Sequence, residues 1–117
     1  MHRLWRAAIN SWNGLRAVVR SEEAFQQEAL VFVVSVPLAF VVATQAWKRL
    51  ALVLVILLIM IIELLNTAIE KLGDRVSQEH DPRMRFVKDL GSAAVGLSLL
   101  FAAAVWLLAL AERLGLI

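Results

Sequence analysis

Apolar residues fall along this chain in three long blocks, preceded by one segment of a different rhythm. In that first segment, residues 1–28, Trp5, Ala8, Trp12, Leu15 and Val19 recur at steps of three and four, with Arg3, Arg6, Asn10, Asn13, Arg16 and Arg20 on the opposite side. The spacing predicts an amphipathic helix. Arginines set against tryptophans predict that it lies in a membrane interface. Ser21 is the expected cap of a further short helical stretch with Glu22 and Glu23 in its first turn. Residues 29–46 form an apolar block long enough to span a bilayer, with Pro37 inside it as a possible kink point, and Trp47, Lys48 and Arg49 make an interfacial turn. Residues 50–72 form the second span, 73–88 a charge-rich loop, and 91–110 the third span. Ser92 and Gly96, four apart, predict a face on which another helix can approach closely. Trp106 reads as an interfacial anchor. The expected fold is an all-α membrane protein of one domain: an interfacial helix plus three transmembrane helices.

Composition sharpens this picture. The chain has 117 residues, is 61% hydrophobic and has a mean hydropathy of +0.75. That is too apolar for an ordinary soluble domain, and so short a chain cannot bury so much apolar surface within itself. Lipid or partner chains must cover the remainder. With no cysteine, disulfides, thiolate metal sites and thiol nucleophiles are excluded. Residues 1–28 lack the continuous apolar run of a signal peptide. Four basic residues in the N-terminal helix and five between 71 and 88 stand against two at 47–49 and one near the C-terminus. That bias places the N-terminal helix and the long loop in the cytoplasm. No nucleic-acid partner is expected.

The candidate chemistry sits where the second span ends. Glu63 closes a run of thirteen apolar residues, Leu50 to Ile62, and Asn66, Glu70 and Asp74 follow at helical spacing. Such a carboxylate is costly to hold at membrane depth and marks a functional site by default. On a helix the four side chains fall within about 80° of one another. Lys88, Asp89 and Ser92 open the third span, and Glu22, Glu23 and Glu28 precede the first. Acids beside cations at an aqueous rim suit magnesium and phosphate together, since Mg2+ takes one or two protein carboxylates and fills its other positions with water and phosphate oxygens. Gly91 and Gly96 have the gap of a phosphate-binding loop, but Leu97 stands where that loop needs lysine. Any nucleotide is therefore handled by a different architecture.

At these residues the sequence resembles the small integral-membrane diacylglycerol kinases of bacteria. The resemblance rests on SWNGLRA (Ser11–Ala17), EEAFQQE (Glu22–Glu28), ELLNTAIEKLGDR (Glu63–Arg75) and KDLGSAAV (Lys88–Val95), in order and across nearly the whole chain. It implies a homotrimer in the bacterial inner membrane, with shared active sites that move the γ-phosphate of MgATP to the primary hydroxyl of diacylglycerol. It implies Glu63 as catalytic base, with Asn66, Lys88 and Asp89 in the catalytic polar set and Glu22 and Glu70 holding the metal. Nucleotide contacts are implied at Arg3, Lys88 and Asp89 and at Glu79, His80 and Asp81. Ala8, Ser11, Trp12, Arg16, Ala24, Phe25, Gln26, Gln27, Glu28 and Ser92 would line the lipid side with Glu63. Asn10 and the triplet Glu79–His80–Asp81 depart from the aromatic-containing versions usual in the family.

Three alternatives accompany this reading. A sister branch of the family phosphorylates undecaprenol; NTAIE suits that branch, while EEAFQQE and KDLGSAAV lean toward diacylglycerol. A small proton-coupled multidrug exporter would carry an essential intramembrane glutamate, but needs four spans and a deeper acid. A non-catalytic adaptor would leave the aligned face of Glu63, Asn66 and Glu70 unexplained.

Overall fold

The computed structural model describes residues 1–76 and 81–117, and all regular structure among them is helical. Helix α1 spans His2–Ser21, α2 Glu23–Val42, α3 Ala46–Val76 and α4 Pro82–Arg113. Among the described residues, α2, α3 and α4 are each long and apolar enough to cross a membrane. The Cα radius of gyration is 17.4 Å, against about 13 Å for a compact globule of this length. The molecule is an open bundle and not a ball. Helix α3 is its centre, packed against α2 on one side and α4 on the other, while α1 packs on the start of α2.

Several boundaries differ from the sequence expectation. The amphipathic helix stops at Ser21, not at residue 28, and Glu22 adopts an extended conformation (φ −110°, ψ 111°) before α2 begins. Ser21 does not cap α2: its hydroxyl donates back to Ala17 O at 3.0 Å, within α1. Gln26 takes over the corner instead, donating from Nε2 to Val19 O at 2.7 Å and so satisfying a carbonyl that α1 leaves open. Helix α2 runs unbroken through Pro37 and ends at Val42, four residues before the expected end of the first span. The expected loop at 73–88 is mostly helix. Gly73 sits within α3 with ordinary helical φ, and its missing side chain leaves room for Met84 and Lys88 of α4. Pro82 opens α4 behind Asp81, whose Oδ1 accepts from Arg83 N at 2.9 Å. A capping aspartate followed by proline at the first helical position is a standard start signal. Polar residues on both helices here are exposed turns that extend past the apolar zone.

Away from the polar end, Ala39, Val42, Ala43 and Leu52 form one buried cluster, and Val55, Ile56, Ile59 and Ala102 a second. Trp106 packs against both, and its indole Nε1 donates to Leu52 O at 3.0 Å. It therefore pins α4 to α3; the expectation of an interfacial anchor does not hold. Buried Ser35 and Ser98 are satisfied within their own helices, by Phe32 O at 2.6 Å and Val95 O at 2.7 Å. At the far end, Lys48 pairs with Glu112 across α3 and α4. Arg49 Nε donates to Ala43 O at 2.9 Å and Arg113 Nε to Val41 O at 3.1 Å, so two cations cover the carbonyl end of α2.

Trp106→Phe removes the bond to Leu52 and part of the indole's packing volume against both clusters. It should lower stability by about 1–3 kcal/mol. Unfolding by sodium dodecyl sulfate titration measures this, and an unchanged midpoint would show that Trp106 does not hold α4 to α3.

Candidate active site

The polar end of the bundle is built from three helix segments: the start of α2, the last turns of α3 and the first turns of α4. On α3, Glu63, Asn66 and Glu70 share the face that their spacing predicts. Asn66 is 8% exposed and donates from Nδ2 to Glu70 Oε1 at 3.4 Å, a long contact. Glu63 is half-buried and lies within electrostatic reach of Glu70 on its own helix and of Glu22 at the head of α2. Glu28, also half-buried, lies within reach of Glu63. Four carboxylates on two helices thus crowd one region. Like charges so placed need a cation, because each raises the energy of its neighbours.

The chain's own cations answer only at the edges. Lys71 Nζ lies 3.6 Å from Glu22 Oε2, which ties the α1–α2 corner to α3. Lys88 pairs with Asp74, joining α4 to α3. Neither pair involves Glu63, Glu70 or Glu28. Among the described residues, two buried side-chain oxygens lack a hydrogen-bond partner within the chain, Glu28 Oε1 and Asn66 Oδ1. Both belong to this region. A buried acceptor left open costs roughly 1–3 kcal/mol; Asn66 Oδ1 faces Gly91 of α4, and Glu28 Oε1 is the one on the α2 side, near Glu63.

Two glycines bring α4 close enough to matter. A Cβ on Gly91 would stand 2.2 Å from Asn66 Oδ1. Bare backbone at Gly91 is therefore what lets Asn66 remain tucked between α3 and α4. A Cβ on Gly73 would meet Met84 Sδ at 2.8 Å and Lys88 Cε at 3.2 Å. Sequence reading placed the close approach at Ser92 and Gly96 instead. Gly96 has no neighbour within 4 Å and Ser92 is exposed. The near crossing uses the adjacent helix face, a difference of one residue that apolar spacing alone did not settle. Lys71 and Asp74 were missed as pairing partners, since ion pairs between helices leave no local periodic signal.

The remaining expected site residues divide by position. Asp89 is exposed at the start of α4, one residue from Lys88. Asp81 uses its carboxylate to cap α4. Arg3, Ala8, Ser11, Trp12 and Arg16 are all exposed along α1, and the Ser11 hydroxyl donates to Ala7 O at 2.8 Å. Phe25 is 2% exposed and holds the α2 end in place. Ala24 and Gln27 are exposed, and Gln26 is committed to the α1–α2 corner. Glu79 and His80 lie outside the described residues.

Magnesium can be tested against this donor set. No group of three or more His, Asp or Glu side chains is placed to hold a metal among the described residues. Magnesium does not require one: it is commonly held by one or two carboxylates together with phosphate oxygens. Glu22 and Glu70, each within electrostatic reach of Glu63, supply two hard oxygen donors of the kind the ion takes. The residues present fit the ion.

A family model for prokaryotic diacylglycerol kinases matches residues 9–110. That match includes the whole α2–α4 site and leaves out Arg3 and Ala8. The chain is 37% identical over 113 residues to the diacylglycerol kinase of Escherichia coli strain K12, covering 97% of this chain and 93% of that protein. It is 40% identical over 106 residues to the diacylglycerol kinase of Pseudomonas aeruginosa, covering 91% of this chain and 86% of that one. The diacylglycerol kinase of Haemophilus influenzae is 32% identical over 96 residues, with coverage of 82% and 81%.

Gly91→Ala should cost about 1–3 kcal/mol by overpacking. Gly73→Ala should cost less, because the obstructing thioether of Met84 can move. Denaturation midpoints of the two variants, compared with the parent, check the order; equal or reversed losses would contradict the close approach at Asn66.

Proposed function

The chain belongs to the prokaryotic diacylglycerol kinase family, and we infer from that membership that the polar end of the bundle is where a nucleotide's terminal phosphate meets a lipid hydroxyl. The protein phosphorylates diacylglycerol and is a multi-pass bacterial membrane protein. The observation that carries the assignment of the site is the partnerless buried acceptor Glu28 Oε1 within electrostatic reach of the half-buried Glu63. A lipid alcohol entering from the bilayer brings an O–H donor to that place. Its acyl chains stay against the exposed apolar helix faces.

The proposed reaction is direct and in line. The primary hydroxyl oxygen of diacylglycerol attacks the γ-phosphorus of ATP, the bond from that phosphorus to the β–γ bridging oxygen breaks, and phosphatidic acid and ADP result. Glu63 accepts the hydroxyl proton, as a positioned carboxylate at the end of an apolar run is suited to do. Asn66 orients Glu70 through its amide. Lys88, released from Asp74, neutralises phosphate oxygens, and Asp89 and Arg3 add polar contacts at the aqueous rim. Magnesium, held by Glu22 and Glu70 with the phosphates completing its shell, would neutralise charge on the transferring group.

The remaining assignments are carried by chemistry and charge distribution. Ala8, Ser11, Trp12, Arg16, Ala24, Gln27, Glu28 and Ser92 would line the lipid's approach, and Asp81 the nucleotide's; Phe25, which is buried, and Gln26, which holds the α1–α2 corner, would shape that approach from behind. The excess of basic residues on α1 and between 71 and 88 favours a cytoplasmic location for the polar end, hence ATP as donor and the inner membrane as location. The exposed apolar surface of all three spans favours a homotrimer with sites completed between subunits.

Glu63→Gln should leave the protein folded and lower turnover about 10²–10⁴-fold, the usual loss for a general base. Near-normal turnover would remove Glu63 from that role. Glu70→Ala should move the magnesium titration of activity to higher concentration, and an unaltered titration would refute the ligand assignment. Purified protein in mixed micelles with labelled ATP, offered diacylglycerol and undecaprenol side by side, tests the substrate. Preferential labelling of undecaprenol, or of neither, would overturn the reading.

A further inference from the structure

At the end of the bundle opposite the polar site, two recesses of unlike character meet at a single ion pair. One, of about 340 Å³, is polar and lies between the end of α2, the turn after it and the end of α4; Thr44, Gln45, Lys48, Glu112 and Arg113 line it. The other, of about 300 Å³, is a crevice between α3 and α4 lined chiefly by Trp47, Ala51, Leu52, Val105, Leu108 and Ala109. Lys48 and Glu112 belong to both walls, and the bridge between them is the boundary where polar recess becomes apolar crevice.

Each recess specifies half of a ligand. The polar one carries two cations, Lys48 and Arg113, against one carboxylate, Glu112, so its lining has a formal charge of +1 (two minus one). Arg113 spends Nε on Val41 O, yet a guanidinium has five N–H donors in all, so donors remain. Side chains of Thr44 and Gln45 add uncharged donors. The crevice offers aliphatic walls and the face of Trp47, which is 66% exposed, with Lys48 Nζ 5.7 Å from its ring centroid. Tryptophan and lysine side by side at a span end is the pattern of the membrane interface. A small soluble anion would fill the first recess and leave the second empty. A lipid with a net-neutral headgroup would fill the second and leave the charge of the first unmatched.

We propose that this end of the protein holds a membrane phospholipid with a singly charged phosphodiester headgroup, its phosphate beside Lys48 and Arg113 and one acyl chain in the crevice beside Trp47. The site is distinct from the polar end and takes part in no chemical step. It clamps the ends of α2, α3 and α4 together, adding to Arg49, Arg113, the Lys48–Glu112 bridge and the apolar cluster around Leu52. Its ligand is a structural lipid and not the lipid that is phosphorylated.

Native mass spectrometry of the purified full-length protein, equilibrated in micelles containing equal phosphatidylglycerol and phosphatidylcholine, reads the retained lipid directly. The parent protein should retain phosphatidylglycerol in preference. Lys48→Gln and Arg113→Gln should each reduce that preference about fivefold, the order expected for one interfacial cation, and Glu112→Gln should raise it by a similar factor. Glu112→Gln keeps the shape of the recess and changes the charge in the opposite sense, so a rise cannot come from misfolding. Trp47→Ala should lower retention of both lipids alike. The proposal is overturned if all charge variants keep the parent's preference, if Glu112→Gln moves it in the same direction as Lys48→Gln, or if inorganic phosphate at tens of millimolar strips the phosphatidylglycerol, which would mark a site for small anions. Diacylglycerol phosphorylation in neutral micelles, measured on the same samples, should persist in every variant, which separates this site from the catalytic one.

Discussion

The crossing of α3 and α4 at Asn66 and Gly91 governs the rest of this structure. In a chain with so little interior, a polar side chain can be buried only where two helices come close enough to enclose it and one gives up its side chain to make room. Gly91 does so at Asn66, and Gly73 does so one contact further out, against Met84 and Lys88. Everything that follows on α3 is held in register by that crossing: Glu63 one turn deeper, Glu70 one turn shallower, and Asp74 within reach of Lys88. The opposite half of the same helix pair is fixed by Trp106 on Leu52 O. Two points at opposite ends of one interface leave α3 and α4 little freedom to slide or rotate. The third helix, α2, packs on α3 through Ala39 and Val42 and is fastened at its ends, with Glu22 on Lys71 at one and Arg113 and Arg49 on its last carbonyls at the other.

The fold was legible wherever hydrophobic period or run length carried the signal. Three apolar blocks became three helices, and the step of three and four from Trp5 to Val19 became α1. Boundaries were less legible because charge was read as loop. Residues 73–76 and 82–88 are polar, yet helix formation asks only that exposed positions tolerate water, which Asp74, Arg75, Arg83 and Arg85 do. The Asp81–Pro82 start signal was present in the sequence and outweighed there by the apolar count from Gly91 onward. A helix start near Ser21 was legible, but Ser21 does not cap α2; its hydroxyl bonds within α1, and Gln26 instead closes the end of α1.

The site divides along the same line. Glu63, Asn66 and Glu70 were visible because they share one helix and one face, and helical geometry relates them without knowledge of any partner. Glu28 and Glu22 were visible only as acids near the first span, and the structure supplies their proximity to Glu63. No sequence pattern announced that Lys71 meets Glu22, that Asp74 occupies Lys88, or that Gly91 clears space for Asn66. Each of those relations joins residues on different helices, where spacing along the chain says nothing about distance.

Charge explains why the polar end is built loosely. Three carboxylates held within reach of a fourth, Glu63, with the nearest cations engaged at the margins, form an arrangement that the folded chain alone does not favour. On the reading proposed above, a divalent cation would offset these carboxylates, and phosphate oxygens would offer Lys88 an alternative to Asp74. The same carboxylates would repel a bare nucleotide and accept one that carries its metal, so charge would select the phosphate donor before any base or sugar is recognised.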